Sequence, residues 1–149
     1  MTHTPFRAGL VRFVTRLHSA IFQATGGRLL GRAAGMPVVQ LTTTGRKSGQ
    51  PQTVMLTAPV QIGQNLVLVA SYGGSDRHPA WFLNLRDDPA VEVVTSDHSG
   101  PMLARIASRE EKAELWPRVT AAYGSYAAYQ ERTERDIPLV ILEPVAENR

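Results

Sequence analysis

The 149-residue chain contains no cysteine. This absence excludes thiolate nucleophiles, cysteine-ligated zinc, iron–sulfur clusters and disulfides, and it is compatible with a reducing compartment. Four histidines are scattered without ligand spacing, so no metal site is expected. Long apolar runs are also missing, which argues against a membrane-spanning helix and against a secretory signal peptide. We therefore expect a cytoplasmic protein.

Acidic residues are absent from the first half of the chain. Seven lysines and arginines precede Asp76, which is the first acidic residue. From Asp76 onwards there are nine lysines and arginines and all thirteen acidic residues. The formal net charge of +3 therefore hides a basic half and a slightly acidic half. Such an asymmetry predicts a polyanionic partner for the basic half. Nucleic acid is disfavoured as that partner, because most aromatic residues lie outside the basic clusters.

Residues 1–36 are predicted to form an N-terminal helical segment, and residues 37–149 a single folded domain. From Phe6 to Thr25 an apolar stripe recurs at helical spacing among basic residues, and Gly26-Gly27 ends it. A terminal helix packed on the body is the favoured interpretation. The alternative is an interfacial anchor, which predicts peripheral contact with the inner face of the cell membrane.

From residue 37 onwards the periodicity becomes that of strands. Alternating and β-branched runs between turn residues predict six strands: Val38–Thr44, Thr53–Val60, Leu66–Ser71, Ala90–Thr95, Met102–Ala107 and Ile137–Leu142. A short helix is predicted after Pro79. A longer one begins at the capping box of Ser108 and Glu111, and Pro117 should kink or interrupt it. Six mainly antiparallel strands and three helices indicate an α+β protein, most simply a small barrel.

The turn between the first two predicted strands reads Gly45-Arg46-Lys47-Ser48-Gly49. Glycine at both ends allows the backbone to approach a ligand closely. Arg46 offers a planar fork for phosphate or carboxylate, Lys47 a point charge and Ser48 a neutral donor. The turn is not a P-loop, because the residue directly before the lysine is Arg46 rather than glycine, and because a strand rather than a helix follows. Taken alone, it is better interpreted as an exposed hairpin turn.

The third predicted strand ends at Gly73-Gly74 and is followed by the helix that carries Trp81 and Phe82. Amides at a helix start attract anions, and paired glycines permit close approach by a flat ligand. Aromatic residues at such positions belong more often to the core than to a cofactor site. Asn84 is a polar residue on this apolar helix, and its amide can bond a ring carbonyl or a neighbouring loop.

In their order along the chain, these motifs resemble the deazaflavin-dependent nitroreductase family, over about residues 37–144. The matching segments are Gly45 to Pro51, Ala70-Ser71 with Gly73-Gly74, Pro79 with Trp81 to Leu85, Trp116-Pro117, Tyr126 with Tyr129-Gln130, and Ile137-Pro138. The resemblance implies a split β-barrel like that of flavin-binding oxidases. It also implies reduced 8-hydroxy-5-deazaflavin coenzyme F-420 as a hydride donor to a quinone, a related electrophile or a nitroaromatic compound. The glutamate tail and phosphate diester of this coenzyme account for the basic half.

The same resemblance implies roles for individual residues. The phosphate and tail would be held by Arg46, Lys47 and Ser48. The rest of the coenzyme would lie along Gln52, Thr53, Val54, Met55 and Leu56, and its ring against Val69, Ala70, Ser71, Tyr72, Ala80, Trp81, Phe82, Leu83 and Asn84. Tyr126 and Tyr129 would close the pocket. One of these tyrosines, Ser71 or water is expected to protonate the oxygen that gains negative charge. Packing of the tyrosines on their helix is the alternative.

Two positions depart from the family pattern. Gln52 stands where members often carry arginine, which predicts weaker tail binding or a different preferred tail length. Thr57 stands where some members carry tyrosine, and its smaller size weighs against bulky nitroaromatic substrates. Three other classes of protein remain open: a non-catalytic carrier of deazaflavin or lipid, an oxidase that uses flavin mononucleotide on the same barrel, and a nucleic-acid-binding barrel. No protein partner is predicted.

Overall fold

The computed structural model describes residues 32–33 and 35–145. The predicted helix from Phe6 to Thr25, and with it the membrane-anchor interpretation, lies outside the described residues. None of the helices within the described ranges is long and apolar enough to cross a membrane.

The described residues form eight strands and three α-helices. The strands are β1 (Arg32–Ala33), β2 (Met36–Thr44), β3 (Pro51–Thr57), β4 (Val60–Ile62), β5 (Asn65–Val69), β6 (Ala90–Val94), β7 (Ser99–Ile106) and β8 (Leu139–Pro144). The helices are α1 (Ala80–Asp87), α2 (Arg109–Ala122) and α3 (Ser125–Glu131), with a 3₁₀ turn at Tyr72–Gly74. The predicted α+β class is confirmed.

All the strand pairs are antiparallel and form one curled sheet. Its order is β3-β2-β6-β7-β8-β5-β4, and the two residues of β1 pair with the beginning of β2. The edge strands β3 and β4 are consecutive in the sequence, and only Ala58 and Pro59 separate them. The two edges of the sheet must therefore come together, which curls it into a split barrel.

The two faces of the sheet bury two separate apolar clusters. Inside the curl, helix α1 inserts Trp81, Phe82 and Leu85 among side chains from β2, β5, β6, β7 and β8. On the outer face, α2 and α3 cover β5 and β8. Strand β5 shows why its sequence is continuously apolar, since Leu66 and Leu68 face the inner cluster while Val67 and Val69 face the outer one. Each buried side chain of this size contributes about 1.5–3 kcal/mol.

Several element boundaries differ from the prediction, and the described residues form eight strands where six were expected. Two of the differences involve prolines. The second strand ends at Thr57, and Val60 belongs to β4, because Pro59 has no N–H to donate to a ladder. Pro117 does not interrupt α2, which runs without a break to Ala122. Pro117 lies on the exposed side of that helix, whereas Leu115 and Val119 anchor the helix in the outer cluster. The carbonyl group that loses its partner can therefore face water.

The capping box that opens α2 is confirmed. Ser108 Oγ accepts the N–H of Glu111 at 3.1 Å, and the Glu111 carboxylate accepts the N–H of Ser108 at 3.0 Å. Arg105 also donates two hydrogen bonds to this carboxylate, at 2.7 and 2.8 Å. The Arg105 hydrogen bond and the Ser108 backbone together lower the pKa of Glu111 to about 2. The start of α2 is thereby fixed to strand β7.

Two adjacent glycines give a test of the contact between the 3₁₀ turn and α3. Both are left-handed, with φ of +64° at Gly73 and +84° at Gly74. A Cβ at Gly74 would lie 2.7 Å from the Tyr129 carbonyl oxygen, whereas a Cβ at Gly73 would meet nothing within 4 Å. We expect Gly73→Ala to lower the free energy of unfolding by about 1 kcal/mol through backbone strain alone. Gly74→Ala should cost about 1–3 kcal/mol more, because the loop or α3 must move.

Chemical denaturation of the two alanine variants measures this difference. Equal losses of stability would contradict the close approach of Gly74 to α3.

Candidate functional site

A cleft of about 460 Å³ opens where β3, the end of β5 and the start of α1 meet. Its wall is mainly apolar and includes several hydroxyl and amide groups. The lining residues are Thr43, Gln52, Thr53, Val54, Leu56, Val69, Ser71, Tyr72, Gly73, Pro79, Ala80, Trp81 and Asn84. This size, an apolar wall and a few converging polar groups are typical of a small-molecule site.

Asn84 ties helix α1 to the basic turn. Its Oδ1 accepts the backbone N–H of Arg46 at 3.0 Å. Its Nδ2 donates to Thr43 Oγ1 at 3.1 Å and to Gln52 Oε1 at 3.0 Å. Asn84 is 3% exposed, so these bonds replace water that the amide has lost. Of the two partners expected for this amide, the structure therefore shows the neighbouring loop.

The basic turn is a closed hairpin loop whose cations face solvent. Gly45 N–H donates to the Gln50 carbonyl and Gly49 N–H to the Gly45 carbonyl, both at 2.8 Å. The side chains of Arg46 and Lys47 are exposed, and no ion pair engages them within residues 32–33 and 35–145. Because Asn84 holds the Arg46 backbone, two uncompensated charges stand next to the cleft. They are available to an anionic ligand.

The wall opposite β3 is a left-handed turn. Tyr72, Gly73 and Gly74 have φ of 44°, 64° and 84°, and Tyr72 is the only non-glycine residue with positive φ in the described part of the chain. The Gly74 N–H donates to the Ser71 carbonyl at 2.9 Å and closes the turn. Ser71 is 8% exposed and lines the cleft, whereas Tyr72 is 62% exposed at its mouth. The turn thus presents a hydroxyl inside and an aromatic ring outside.

The three tyrosines that follow α2 form a row of rings. Ring centroids are 5.2 Å apart for Tyr123 and Tyr126 and 6.1 Å apart for Tyr126 and Tyr129. Tyr126 is 6% exposed, and its hydroxyl lies 3.2 Å from Thr57 Oγ1 on β3. Burial raises the pKa of Tyr126 above its ordinary value, so this hydroxyl stays protonated at neutral pH. A hydrogen bond to Tyr123 raises the pKa of Tyr129.

The structure brings together ten of the residues predicted from sequence. They line the cleft: Gln52, Thr53, Val54, Leu56, Val69, Ser71, Tyr72, Ala80, Trp81 and Asn84. Arg46, Lys47 and Ser48 lie on the adjoining turn. The remaining predicted residues lie outside the lining of the cleft. Ala70 and Phe82 are buried in the inner cluster, Leu83 packs against it, Tyr126 belongs to the outer cluster with Tyr129 beside it, and Met55 is half-buried on β3.

Sequence reasoning missed Thr43 and Pro79 as lining residues, and it missed Arg135 altogether. Arg135 Nη2 donates to the Ser71 carbonyl at 2.8 Å across 64 positions of the chain. Nothing in its local sequence distinguishes it from the other arginines, so only the fold could reveal this contact. Thr43 lies two positions after the inward-facing Leu41 on β2 and therefore on the same face, so its burial could have been inferred from the strand pattern.

These features define a split-barrel protein with a cofactor-sized cleft beside a cationic turn. A family model described as F420H(2)-dependent quinone reductase matches residues 14–144. The chain therefore belongs to this family, and the resemblance noted in the sequence is confirmed.

Individual relatives agree with this assignment. The F420H(2)-dependent quinone reductase Rv1261c of Mycobacterium tuberculosis is 38% identical over 131 residues, which are 85% of this chain and 87% of that protein. Among solved structures, an F420-H2 dependent reductase (FDR-A) is 40% identical with a TM-score of 0.65, covering 72% of this chain and 94% of that one. A second, described as a domain-swapped dimer, is 33% identical with a TM-score of 0.66, covering 92% and 99%.

The Asn84 contacts predict a coupled loss of stability and of order in the turn. Asn84→Ala removes three hydrogen bonds and leaves buried Thr43 with one partner fewer. We expect the free energy of unfolding to fall by about 1–3 kcal/mol. Amide hydrogen exchange at Arg46 should accelerate, because its acceptor is gone.

Gln61→Ala serves as the control, because Gln61 makes an exposed hydrogen bond to the Gly63 carbonyl at 3.2 Å, away from the cleft. An Arg46 exchange rate that is the same in Asn84→Ala and in the control would contradict the role given to Asn84.

Proposed function

We propose that this chain transfers a hydride from the reduced deazaflavin coenzyme F-420 to a quinone. The observation that carries the proposal is the junction of an apolar cleft with two unpaired cations, Arg46 and Lys47, in a member of this family. A flat apolar ring and a polyanionic tail on one molecule require that combination of surfaces.

The residues present fit this coenzyme. Gly45 lies beneath the turn, where a Cβ would be 2.6 Å from Ser48 Oγ and 2.9 Å from Gln52 Nε2. The missing side chain lets these two polar groups fold back over the backbone next to the cations. Val54, Leu56 and Trp81 supply apolar walls of the cleft. A ring seated against those walls would therefore have its charged substituents close to Arg46 and Lys47.

When bound, the reduced coenzyme supplies a hydride, and no metal or protein nucleophile is needed for the chemistry. The chain's own task is to exclude water, orient the acceptor and stabilise the oxygen that gains negative charge. We propose Ser71 as a donor, because it is one of the hydroxyl-bearing residues that line the cleft. The Tyr126 hydroxyl is hydrogen-bonded to Thr57, and Tyr129 is half-buried beside Tyr126.

The chemical class of the acceptor is the second part of this proposal. Thr57 lies beside Tyr126, with the two hydroxyls 3.2 Å apart, and it lacks the aromatic ring that some family members carry there, so we propose quinones rather than nitroaromatic compounds as acceptors. A non-catalytic carrier would bind the coenzyme without acceptor-dependent oxidation. A flavin mononucleotide oxidase would purify with yellow flavin and would not take up deazaflavin. Peripheral membrane contact through residues 6–25 stays a prediction.

Charge reversal at the basic turn tests coenzyme binding directly. The double variant Arg46→Glu, Lys47→Glu should weaken binding of the coenzyme by about 100-fold, because two attractive contacts become repulsive. Isothermal titration calorimetry with oxidised and reduced coenzyme measures the affinity. Raised ionic strength should reduce the difference in affinity between the parent chain and the double variant. The control Arg109→Glu, Arg118→Glu makes the same change of charge on exposed positions of α2. If the two double variants lowered coenzyme affinity equally, the basic turn would not be part of the binding site.

The tyrosine row predicts a loss of turnover without a loss of coenzyme affinity. In the double variant Tyr126→Phe, Tyr129→Phe, both hydroxyls are removed while both rings remain. We expect kcat for quinones to fall about tenfold, since donors near the acceptor are lost, with coenzyme Kd within twofold of the parent. Stopped-flow oxidation of the reduced coenzyme with a panel of quinones measures kcat. Unchanged turnover of every quinone would assign these tyrosines to packing alone.

A further inference from the structure

Arg135 lies in the connection between α3 and β8, and its guanidinium reaches the end of β5. Its Nε donates to the Ser75 carbonyl at 2.7 Å, and Nη2 donates to the Ser71 carbonyl at 2.8 Å. Nη1 and Nη2 each donate to the Ala70 carbonyl at 3.2 Å. Nη1 also lies 3.3 Å from His78 Nδ1, which accepts when that imidazole is neutral. One side chain thus bonds both ends of the left-handed turn.

These contacts are unusual because every acceptor is neutral. No carboxylate lies within ion-pair distance of Arg135 in the part of the chain that the structure describes. Burial lowers the pKa of Arg135, an effect that the charge of Asp76 partly offsets. Placing a guanidinium among backbone carbonyls without a counter-ion carries a desolvation cost. Its geometry suits one purpose, since a planar fork can hold several carbonyl groups in a fixed arrangement.

The arrangement held in this way is strained. Tyr72 has φ of 44°, a conformation that an aromatic L-residue rarely adopts. Backbone strain of this kind persists only where surrounding contacts over-determine it, and it concentrates at functional sites. The carbonyls of Ala70 and Ser71 precede Tyr72, and that of Ser75 follows it, so Arg135 fixes the strained residue from both sides.

Neighbouring residues of the same connection reinforce this hold. Arg132 Nη1 donates to the Gly73 carbonyl at 3.3 Å, and its guanidinium carbon lies 5.5 Å from the Tyr129 ring centre. Thr133 Oγ1 donates to Asp76 Oδ1 at 2.8 Å. The segment 132–135 therefore links the tyrosine row to the wall of the cleft that contains Ser71 and Tyr72.

We propose that Arg135 is a positioning residue that holds Ser71 and Tyr72 in the conformation in which they line the cleft. It acts through the backbone carbonyls of the turn. The identification of the ligand as the coenzyme rests on the proposed function, whereas the effect of Arg135 on the turn does not depend on it. The wall formed by Ser71 and Tyr72 is then preorganised before any ligand binds, which lowers the ordering cost of binding.

The test uses Arg135→Gln and Arg135→Lys in the full chain. Backbone amide NMR shifts of Tyr72, Gly73, Gly74 and Ser75 report on the turn without ligand, and fluorescence titration gives coenzyme affinity. We expect the four shifts to move and coenzyme Kd to rise about tenfold in both variants. Lysine should not rescue the turn, because one ammonium cannot replace a fork that bonds three carbonyls. Since Arg135→Lys keeps the charge, it also serves if Arg135→Gln does not fold.

Arg105→Gln is the matched control, because Arg105 is an exposed arginine that makes a comparable set of bonds to Glu111 and Glu143, away from the cleft. It should lower stability yet leave the four shifts and coenzyme Kd unchanged. Added methylguanidinium should restore both readouts in Arg135→Ala and not in Arg135→Lys. Shifts and Kd in Arg135→Lys equal to those of the parent would overturn the inference. If the parent chain fails to bind coenzyme, the proposed function falls, and the shifts alone decide the role of Arg135.

Discussion

The insertion of helix α1 into the curled sheet is the interaction on which the site depends. The sheet can bring its edge strands together only if its inner face is filled, and Trp81, Phe82 and Leu85 fill it. The same helix carries Asn84, which bonds the basic turn, and Ala80 and Trp81, which line the cleft. Core packing and site geometry are therefore set by one element, so a shift of α1 would move the walls and the cationic turn together.

The distribution of charge differs between the two halves of the chain. In the second half of the chain, Arg105 pairs with Glu111 and Glu143, and Lys112 pairs with Asp136. Arg46 and Lys47 stand in a half of the chain without any acid, and their sequence neighbours cannot neutralise them. Exposed ion pairs contribute little to stability, whereas exposed unpaired cations produce a field. Within the described residues, Arg109 and Arg118 are also exposed and without an ion pair, so Arg46 and Lys47 are distinguished by their place beside the cleft rather than by being unpaired.

The sequence was informative where structure is local. Alternation identified the strands, and continuous apolarity in Leu66 to Val69 correctly indicated a strand buried on both faces. The capping box located the start of α2. The interruption expected at Pro117 is absent, because Pro117 lies on the exposed side of a helix that continues to Ala122. The split barrel itself came from resemblance rather than from pattern, since strand order is a non-local property.

The cleft was predictable in part for the same reason. Residues on β3, β5 and α1 form contiguous motifs, and the structure places most of them around one cavity. Asn84 offered two possible partners, and only the folded hairpin decides between them. Arg135 gave no signal, because its partners are carbonyl groups more than sixty positions away, and backbone carbonyls are the same for every residue type. Side-chain motifs can be read along a chain, but backbone recognition has to be seen in three dimensions.

The division of labour among the hydroxyls follows from burial. Tyr126 is locked between Thr57 and its neighbouring rings, and its raised pKa makes it a fixed dipole rather than a source of protons. Ser71 is proposed to act in the same way, as a hydrogen-bond donor to the acceptor oxygen. In the proposed reaction the proton that accompanies the hydride would then come from water, because the pKa of Tyr129 is raised as well. Such a site stabilises charge by orientation, and the strength of that effect depends on how rigidly the donors are held. Contacts such as those of Arg135, which fix the backbone beneath a donor, therefore matter as much as the donor itself.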